Sequence, residues 1–353
     1  MPISPELIPK IKMVAPGTVL RRALDDIIMA EFGALIVFLD DIREQENILQ
    51  GGFYIGTGFS PEKLYELAKM DGAIILDENV NRILAANVQL APDPTLPTNE
   101  TGMRHRAAER MARQAQKFVL TISRRRKVIT LYYKSHKHQL SEINALIARI
   151  SHTIGTVERY KNNLDKKCLR IERDEFLDQV QLIQVTDLLN DCIGIMNLLE
   201  EIDPYVIETG GEGRLLVLRL DSVREDVDTL VQMLVKDYGL SSFSEDEIVQ
   251  IIEKLKSIKP ADHEKIAVLL GWPPTAETTL HDIAVRPRGY RLLKQMAKIP
   301  PGTVDNVVER FKDLVHLSMA DEANLLEVEG IGEKRARSII DGIQHMRNRL
   351  VYR

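Results

Sequence analysis

The chain is poor in cysteine, in long apolar runs and in net charge, and each shortage excludes a class of protein. Cys168 and Cys192 are the only cysteines in 353 residues. Both lie in helical, charge-rich surroundings, so a disulfide framework is excluded and a reducing cytoplasm is expected. No apolar run reaches the ~18 residues of a membrane span, and no charged-then-apolar leader opens the chain. A soluble intracellular protein without membrane partners is therefore expected. The formal net charge of −5 is modest and argues against a uniformly cationic coat for nucleic acid. At this length two or three domains with ample core are expected.

What the first part does contain is a series of short elements. Helices are predicted over 5–13 and 19–31, around the Ala15-Pro16-Gly17-Thr18 turn, with Thr18 as an N-cap. Gly33 to Leu39 is apolar on both faces and reads as a buried strand. Gly51-Gly52 marks a turn. Ser60-Pro61 opens a helix with a serine cap and a proline at its first position, while Lys63 leaves the capping box incomplete. Strands are predicted at 73–76, 83–87, 118–122 and 128–132. Short strands alternating with helices give one mixed α/β domain over residues 1–140.

From Ser141 the texture changes. Ile143, Leu146, Ile147, Ile150, Ile154, Val157 and Leu164 fall on one side of a long helix. Helical patterns continue over 174–202 and 213–238, joined by Asp203-Pro204 and Gly210-Gly211. Residues 241–286 are mixed, with Gly271-Trp272-Pro273-Pro274 as an irregular turn and Trp272 as a local anchor. Residues 141–285 carry no clustered chemistry and read as a helical spacer or an oligomer scaffold.

The chemistry gathers elsewhere. Thr101-Gly102-Met103-Arg104-His105-Arg106-Ala107 turns a proline-broken loop into a helix, and Gly102 is expected to take a backbone conformation that other residues resist. Arg104, His105 and Arg106 then fall in the first helical turn, where the dipole repels cations and a bound phosphate would reverse the balance. A solvated basic turn is the alternative. Two neighbours favour the phosphate: Met70-Asp71-Gly72-Ala73, an acid and a glycine at the mouth of an apolar strand, and Ser123-Arg124-Arg125-Arg126 at the end of another. An acid to hold a metal or activate a hydroxyl, with two basic loops for phosphates, is what nucleotidyl transfer requires.

From Arg286 to Arg353 there are thirteen Lys/Arg against nine Asp/Glu in an otherwise acidic chain. Within this segment Gly330-Ile331-Gly332 is predicted as a tight turn between helical patterns at 319–327 and 333–349. Its backbone N–H groups could hold a phosphate, with Ile331 plugging the core and Lys334 and Arg335 adding charge. Ile299-Pro300-Pro301-Gly302-Thr303 with helical 304–315 reads as a degenerate first copy. An ordinary helix pair with a glycine cap is the alternative to a DNA-binding helix-hairpin-helix.

Val14-Ala15-Pro16-Gly17-Thr18, Gly51-Gly52-Phe53, the run from Leu64 to Ala73, Glu100-Thr101-Gly102-Met103-Arg104-His105-Arg106, Arg288-Gly289-Tyr290-Arg291-Leu292-Leu293 and Glu329-Gly330-Ile331-Gly332 together closely resemble the bacterial and archaeal DNA integrity scanning family of diadenylate cyclases. The likeness spans nearly the whole chain. It implies a mixed-sheet cyclase domain, a helical spine and a helix-hairpin-helix domain at 286–353. It also implies condensation of two ATP molecules into cyclic di-AMP with loss of two pyrophosphates, Mg²⁺ or Mn²⁺, and an octamer with DNA-binding tails. By this resemblance Asp71 binds metal and helps deprotonate the 3′-hydroxyl, and Gly72 and Ala73 let the nucleotide approach. Leu90 lines the adenine pocket. Met103, through its backbone, joins Arg104, His105 and Arg106 in holding phosphates, with Ser123, Arg124 and Arg126 near the triphosphate. Ala107 stands where relatives carry threonine, so a hydroxyl contact is absent there. Two readings of function follow: a diadenylate cyclase coupled to sensing of branched DNA, or a DNA-binding architectural protein whose N-terminal domain senses a nucleotide without reacting. A repair nuclease is disfavoured, because no further acidic cluster accompanies Asp71.

Overall fold

The computed structural model describes residues 3–273, 279–296 and 299–351. Pro274 of the expected Gly-Trp-Pro-Pro turn lies outside them. The chain divides into one unit of Met1–His152 with Glu201–Leu218 and a second of Thr153–Glu200 with Arg219–Arg353.

The first unit is built on strand β1, Ala34–Phe38, in which all five residues are buried. Its side chains alternate: Ala34, Ile36 and Phe38 enter one core, Leu35 and Val37 the other. That is the two-residue period of a strand covered on both faces. Around it stand β2 (Leu49–Gln50), β3 (Phe53–Gly58), β4 (Ala73–Leu76), β5 (Arg82–Leu90), β6 (Phe118–Ser123), β7 (Val128–Tyr133) and β8 (His136–Gln139). They form one eight-stranded sheet of order β2-β5-β4-β1-β6-β7-β8, with β3 also on β5. Only β1 and β4 run parallel; the other pairs are antiparallel.

Helices α1 (Ile8–Met13), α2 (Val19–Met29) and α3 (Pro61–Leu67) cover one face through Ile11, Leu20, Leu24, Ile27 and Leu64. Helix α4 (Met103–Ala115) covers the other through Ala108, Met111 and Ala112. The caps fall where the sequence places them: the Thr18 and Ser60 hydroxyls accept from the Arg21 and Lys63 N–H groups. Strands β2, β3 and β8 escape sequence reasoning. β3 is mostly exposed and rich in glycine, and β8 is the polar run His136-Lys137-His138-Gln139. Neither offers an apolar period.

In the helical part, α5 spans Ile143–Phe176, α6 Leu182–Thr209 and α7 Arg214–Tyr238. Two expectations are corrected. The helix predicted over 174–202 is broken at 177–181, where Asp178 has φ 56°. Conversely, α6 runs straight through Asp203-Pro204. A proline there forfeits one backbone bond and costs about 3 kcal/mol, but burial of Leu199 and Ile202 on the same helix holds the continuation. A window within Leu182–Tyr238 reaches mean hydropathy 1.2, long and apolar enough by composition to cross a membrane, and 56% of it is buried.

The second unit adds α8 (Glu245–Lys256), α9 (His263–Leu269), α10 (Tyr290–Gln295), α11 (Pro301–Phe311), α12 (Leu314–Ser318), α13 (Glu322–Leu326) and α14 (Glu333–Val351). Trp272 donates its indole N–H to the Tyr238 carbonyl at 2.9 Å, a local anchor. The Arg288–Leu293 motif has a structural task. Gly289, at φ 108°, turns three successive N–H groups, those of Gly289, Tyr290 and Arg291, onto the buried Asp237 carboxylate at 2.8, 2.6 and 3.1 Å. Arg291 extends to Glu175 at 2.6 Å. Burial pushes the Glu175 carboxyl up to about 7 against the pull of Arg291.

Candidate functional site

One end of the sheet collects the predicted chemistry, and the strand register explains how. Ala34 pairs with Ile122, so Gly33 and Ser123 end those strands side by side. Ala73 pairs with Val88, which brings Gly72 and Asp71 to the same end as Leu90. Gly72 has φ +88°, and a Cβ there would lie 2.8 Å from the Asn87 carbonyl carbon. Its neighbour is backbone and cannot yield. Gly72→Ala should therefore cost about 2–4 kcal/mol of stability by strain and overpacking, read as a lower urea midpoint.

Helix α4 begins at this end. Gly102 is its N-cap with φ −80° and ψ 139°, an extended conformation open to any residue, and no side chain caps the helix. The expected need for glycine conformation is thus corrected. A Cβ on Gly102 would meet only the His105 ring, at 3.5 Å. Gly102→Ala should leave stability within about 1 kcal/mol, which sets it apart from Gly72. Arg104, His105 and Arg106 occupy the first turn as expected, with Arg106 exposed and Met103 87% exposed. Ala107 is half-buried ahead of the fully buried Ala108.

The Arg104 guanidinium lies 3.4 Å from Asp71, whose side chain is 100% exposed. A Cβ on Gly33 would strike Arg104 Nη1 at 2.6 Å and approach the Arg124 Cβ at 3.5 Å. Gly33 thus gives Arg104 its place beside Arg124, a part that its membership of an apolar run concealed. Arg124 and Arg126 are exposed on the β6–β7 turn. The Ser123 hydroxyl accepts from the Arg126 N–H at 3.3 Å, which braces that turn. Ala73 is fully buried, and Leu90 packs on the α4 side of the sheet. Asp71, Gly72, Leu90, Arg104, Ser123 and Arg124 therefore share one sheet end.

His105 points back into the domain. Its Nδ1 lies 2.9 Å from the Tyr132 hydroxyl and 3.0 Å from that of Thr121. Tyr132 donates to Glu100 at 2.8 Å, and Lys137 also pairs with Glu100. Burial lowers the His105 pKa below the ordinary histidine value, with Glu100 opposing the shift. Burial also works against the Glu100 carboxylate, but the hydrogen bonds from Lys137 and Tyr132 outweigh it and hold its pKa low. Sequence reasoning gave Thr121, Tyr132 and Lys137 no part. The available signal was a threonine and a tyrosine in otherwise apolar strands.

Far along the chain, α13 and α14 flank the Gly330-Ile331-Gly332 turn. Gly330 has φ +87°, and a Cβ there would lie 2.8 Å from the Thr303 hydroxyl. Ile331 is 7% exposed and joins the core of this region. Around Gly332 there is open space for a Cβ, and its carbonyl accepts from the Arg335 and Ala336 N–H groups. Arg335 reaches back to the Gly330 carbonyl at 2.7 Å, and Lys334 is exposed. In the suggested first copy, Pro301, Gly302 and Thr303 form the opening turn of α11 instead of a loop ahead of it.

Comparison with known proteins gives these features a class. The family model described as DisA bacterial checkpoint controller nucleotide-binding matches residues 21–137, and the DisA bacterial checkpoint controller linker region matches 140–279. The DNA integrity scanning protein DisA of Thermotoga maritima is 45% identical over 344 residues, covering 98% of this chain and 96% of that protein. That of Thermotoga petrophila is 46% identical, covering 98% of each. That of Carboxydothermus hydrogenoformans is 41% identical, covering 97% of each. The protein is an enzyme of the nucleotidyltransferase class, with a diadenylate cyclase domain at its N-terminal end. The chain belongs to the family of DNA integrity scanning proteins DisA.

Proposed function

We propose that this protein condenses two ATP molecules into cyclic di-AMP and two pyrophosphates, and that DNA bound at its C-terminal hairpin regulates the reaction. The observation that carries the reading is the convergence of Asp71, Arg104 and Arg124 at one sheet end beside the uncapped start of α4. Residues 1–140 supply the cyclase, 141–285 the spine and 286–353 the helix-hairpin-helix.

Arg104, His105 and Arg106 hold the triphosphate with Ser123, Arg124 and Arg126, while the Met103 and Ala107 backbone completes the helix start. Gly72 and Ala73 give the nucleotide room, and Leu90 borders the base. Asp71 orients and helps deprotonate the 3′-hydroxyl. Among the described residues no group of three or more His, Cys, Asp or Glu is placed to hold a metal. A single exposed carboxylate nevertheless suits Mg²⁺ or Mn²⁺, which keep several waters and borrow phosphate oxygens. Such an ion on Asp71 would supply charge neutralisation at the phosphate under attack.

Each site holds one ATP, so the 3′-hydroxyl of one nucleotide must meet the α-phosphate of another across two subunits. Face-to-face cyclase domains in a cytoplasmic homo-octamer provide that meeting. Incubation with ATP and Mn²⁺ should release pyrophosphate, and a four-way DNA junction should slow the release. ATP binding without pyrophosphate would favour instead a DNA-binding architectural protein with a nucleotide sensor.

A further inference from the structure

The polar groups behind His105 are more elaborate than a phosphate ligand needs. Tyr132 is 1% exposed and Thr121 fully buried, so the hydrogens between them and the ring are accountable one by one. Tyr132 has a single proton, and it goes to the Glu100 carboxylate. Toward His105 the same oxygen can only accept. Thr121 gives its hydroxyl hydrogen to the Tyr132 oxygen, with which it is hydrogen-bonded, and so it too can only accept at 3.0 Å from Nδ1; a lone pair on Nδ1 would face two acceptors. Nδ1 therefore carries the hydrogen, and Nε2 of the neutral ring carries the lone pair.

A lone pair cannot hold a phosphate oxygen; an N–H can. We propose that Glu100 and Tyr132 are positioning residues that keep His105 as the neutral Nδ1–H ring in the empty site, and that nucleotide binding draws one proton from solvent onto Nε2. The inference rests on the reading that Arg104, His105 and Arg106 hold a triphosphate. The balance is simple. Solvent gives the proton, Nε2 takes it, the new N–H donates to a phosphate oxygen, and Glu100 compensates the imidazolium through Tyr132.

The charges facing the ring are Glu100 from the loop before α4, Lys137 from β8, Arg126 from the β6–β7 turn and Arg104 from its own helix. Three of these four are cationic and, with burial, keep the empty-site ring neutral; the added anionic phosphates reverse the sum. The free-state pKa is lowered and the bound-state pKa is raised. Affinity is therefore full below the free-state value and falls by up to ~10-fold per pH unit as the pH rises toward the bound-state value.

The test is titration calorimetry of the full-length protein with an ATP analogue whose α,β-bridge is methylene, at neutral pH, in two buffers of different ionisation enthalpy. His105→Gln provides the baseline for protons exchanged by the analogue itself. Above that baseline the unsubstituted protein should take up about half a proton or more per site. Glu100→Gln keeps the hydrogen bonds but removes the charge, and Tyr132→Phe breaks the chain. Both should cut the uptake and move the affinity–pH profile to lower pH, which a merely structural role would not do. Equal uptake in all four proteins, with the analogue bound and ATP still turned over, would overturn the inference and leave the cyclase reading intact. Absence of both analogue binding and pyrophosphate release would remove the reading on which it stands.

Discussion

Asp71→Asn should leave the fold and ATP binding intact while turnover falls by a factor of ~10² or more, the scale for losing a metal-holding or proton-accepting carboxylate. The structure makes this a clean experiment. The Asp71 side chain is fully exposed, and its only partner among the described residues is Arg104 at 3.4 Å. No buried hydrogen bond is lost with the charge, so the melting temperature should hold. Arg104 is released from that ion pair, and ATP affinity should stay level or rise slightly. Pyrophosphate release under saturating ATP and Mn²⁺ gives the rate, and equilibrium dialysis gives the affinity. A variant with near-full turnover would remove Asp71 from the chemistry and return it to the role of a surface acid.

The site was legible where chemistry and local structure coincide in sequence. Asp71-Gly72 at a strand mouth and the Arg-His-Arg turn both stand out, because acids, glycines and clustered bases interrupt an apolar pattern. What failed was the account of individual glycines. Gly102 suggested an unusual backbone, yet it is extended, and Gly33 hid in an apolar run although it makes the space for Arg104. Side-chain room depends on a residue about seventy positions away, and no local pattern encodes that. The Glu100–Tyr132–His105 chain was hidden for the same reason, since it joins a loop, a strand and a helix start. The fold shows the matching asymmetry. β1 was plain from its unbroken apolar run and α2 from its apolar side and cap, whereas β3 and β8 owe their pairing to neighbouring strands and carry little pattern of their own. Pro204 was misread because tertiary burial outweighs a single backbone bond.

The two glycines of the hairpin separate in the same way, and they set the second large effect. Gly330 is glycine for the fold, since its positive φ and the nearby Thr303 hydroxyl exclude a side chain. Gly332 has no such reason: its φ is not positive and a Cβ would stand in open space. A glycine that the fold does not require, at the start of α14 beside exposed Lys334, fits close approach of a phosphate to backbone N–H groups. Gly332→Ala should therefore leave the melting temperature nearly unchanged and weaken binding to a four-way junction. Under the proposed octamer, several tails would engage a branched DNA together, so a loss of a few-fold per tail would multiply to ~10²-fold or more overall. Lys334→Glu should act through charge instead, with a shallower dependence of log affinity on log salt by about one phosphate per tail. Arg335 is the poorer target, because it already braces the Gly330 carbonyl. Deletion of residues 286–353 is poorer still. It would strip Arg291 from Glu175 and three N–H groups from Asp237, and leaving such buried charges unpaired costs about 3–5 kcal/mol. With either point substitution, basal pyrophosphate release should be unchanged and its inhibition by the junction should weaken in proportion to affinity. Junction binding that persists unaltered in both variants would place the DNA contact on another surface.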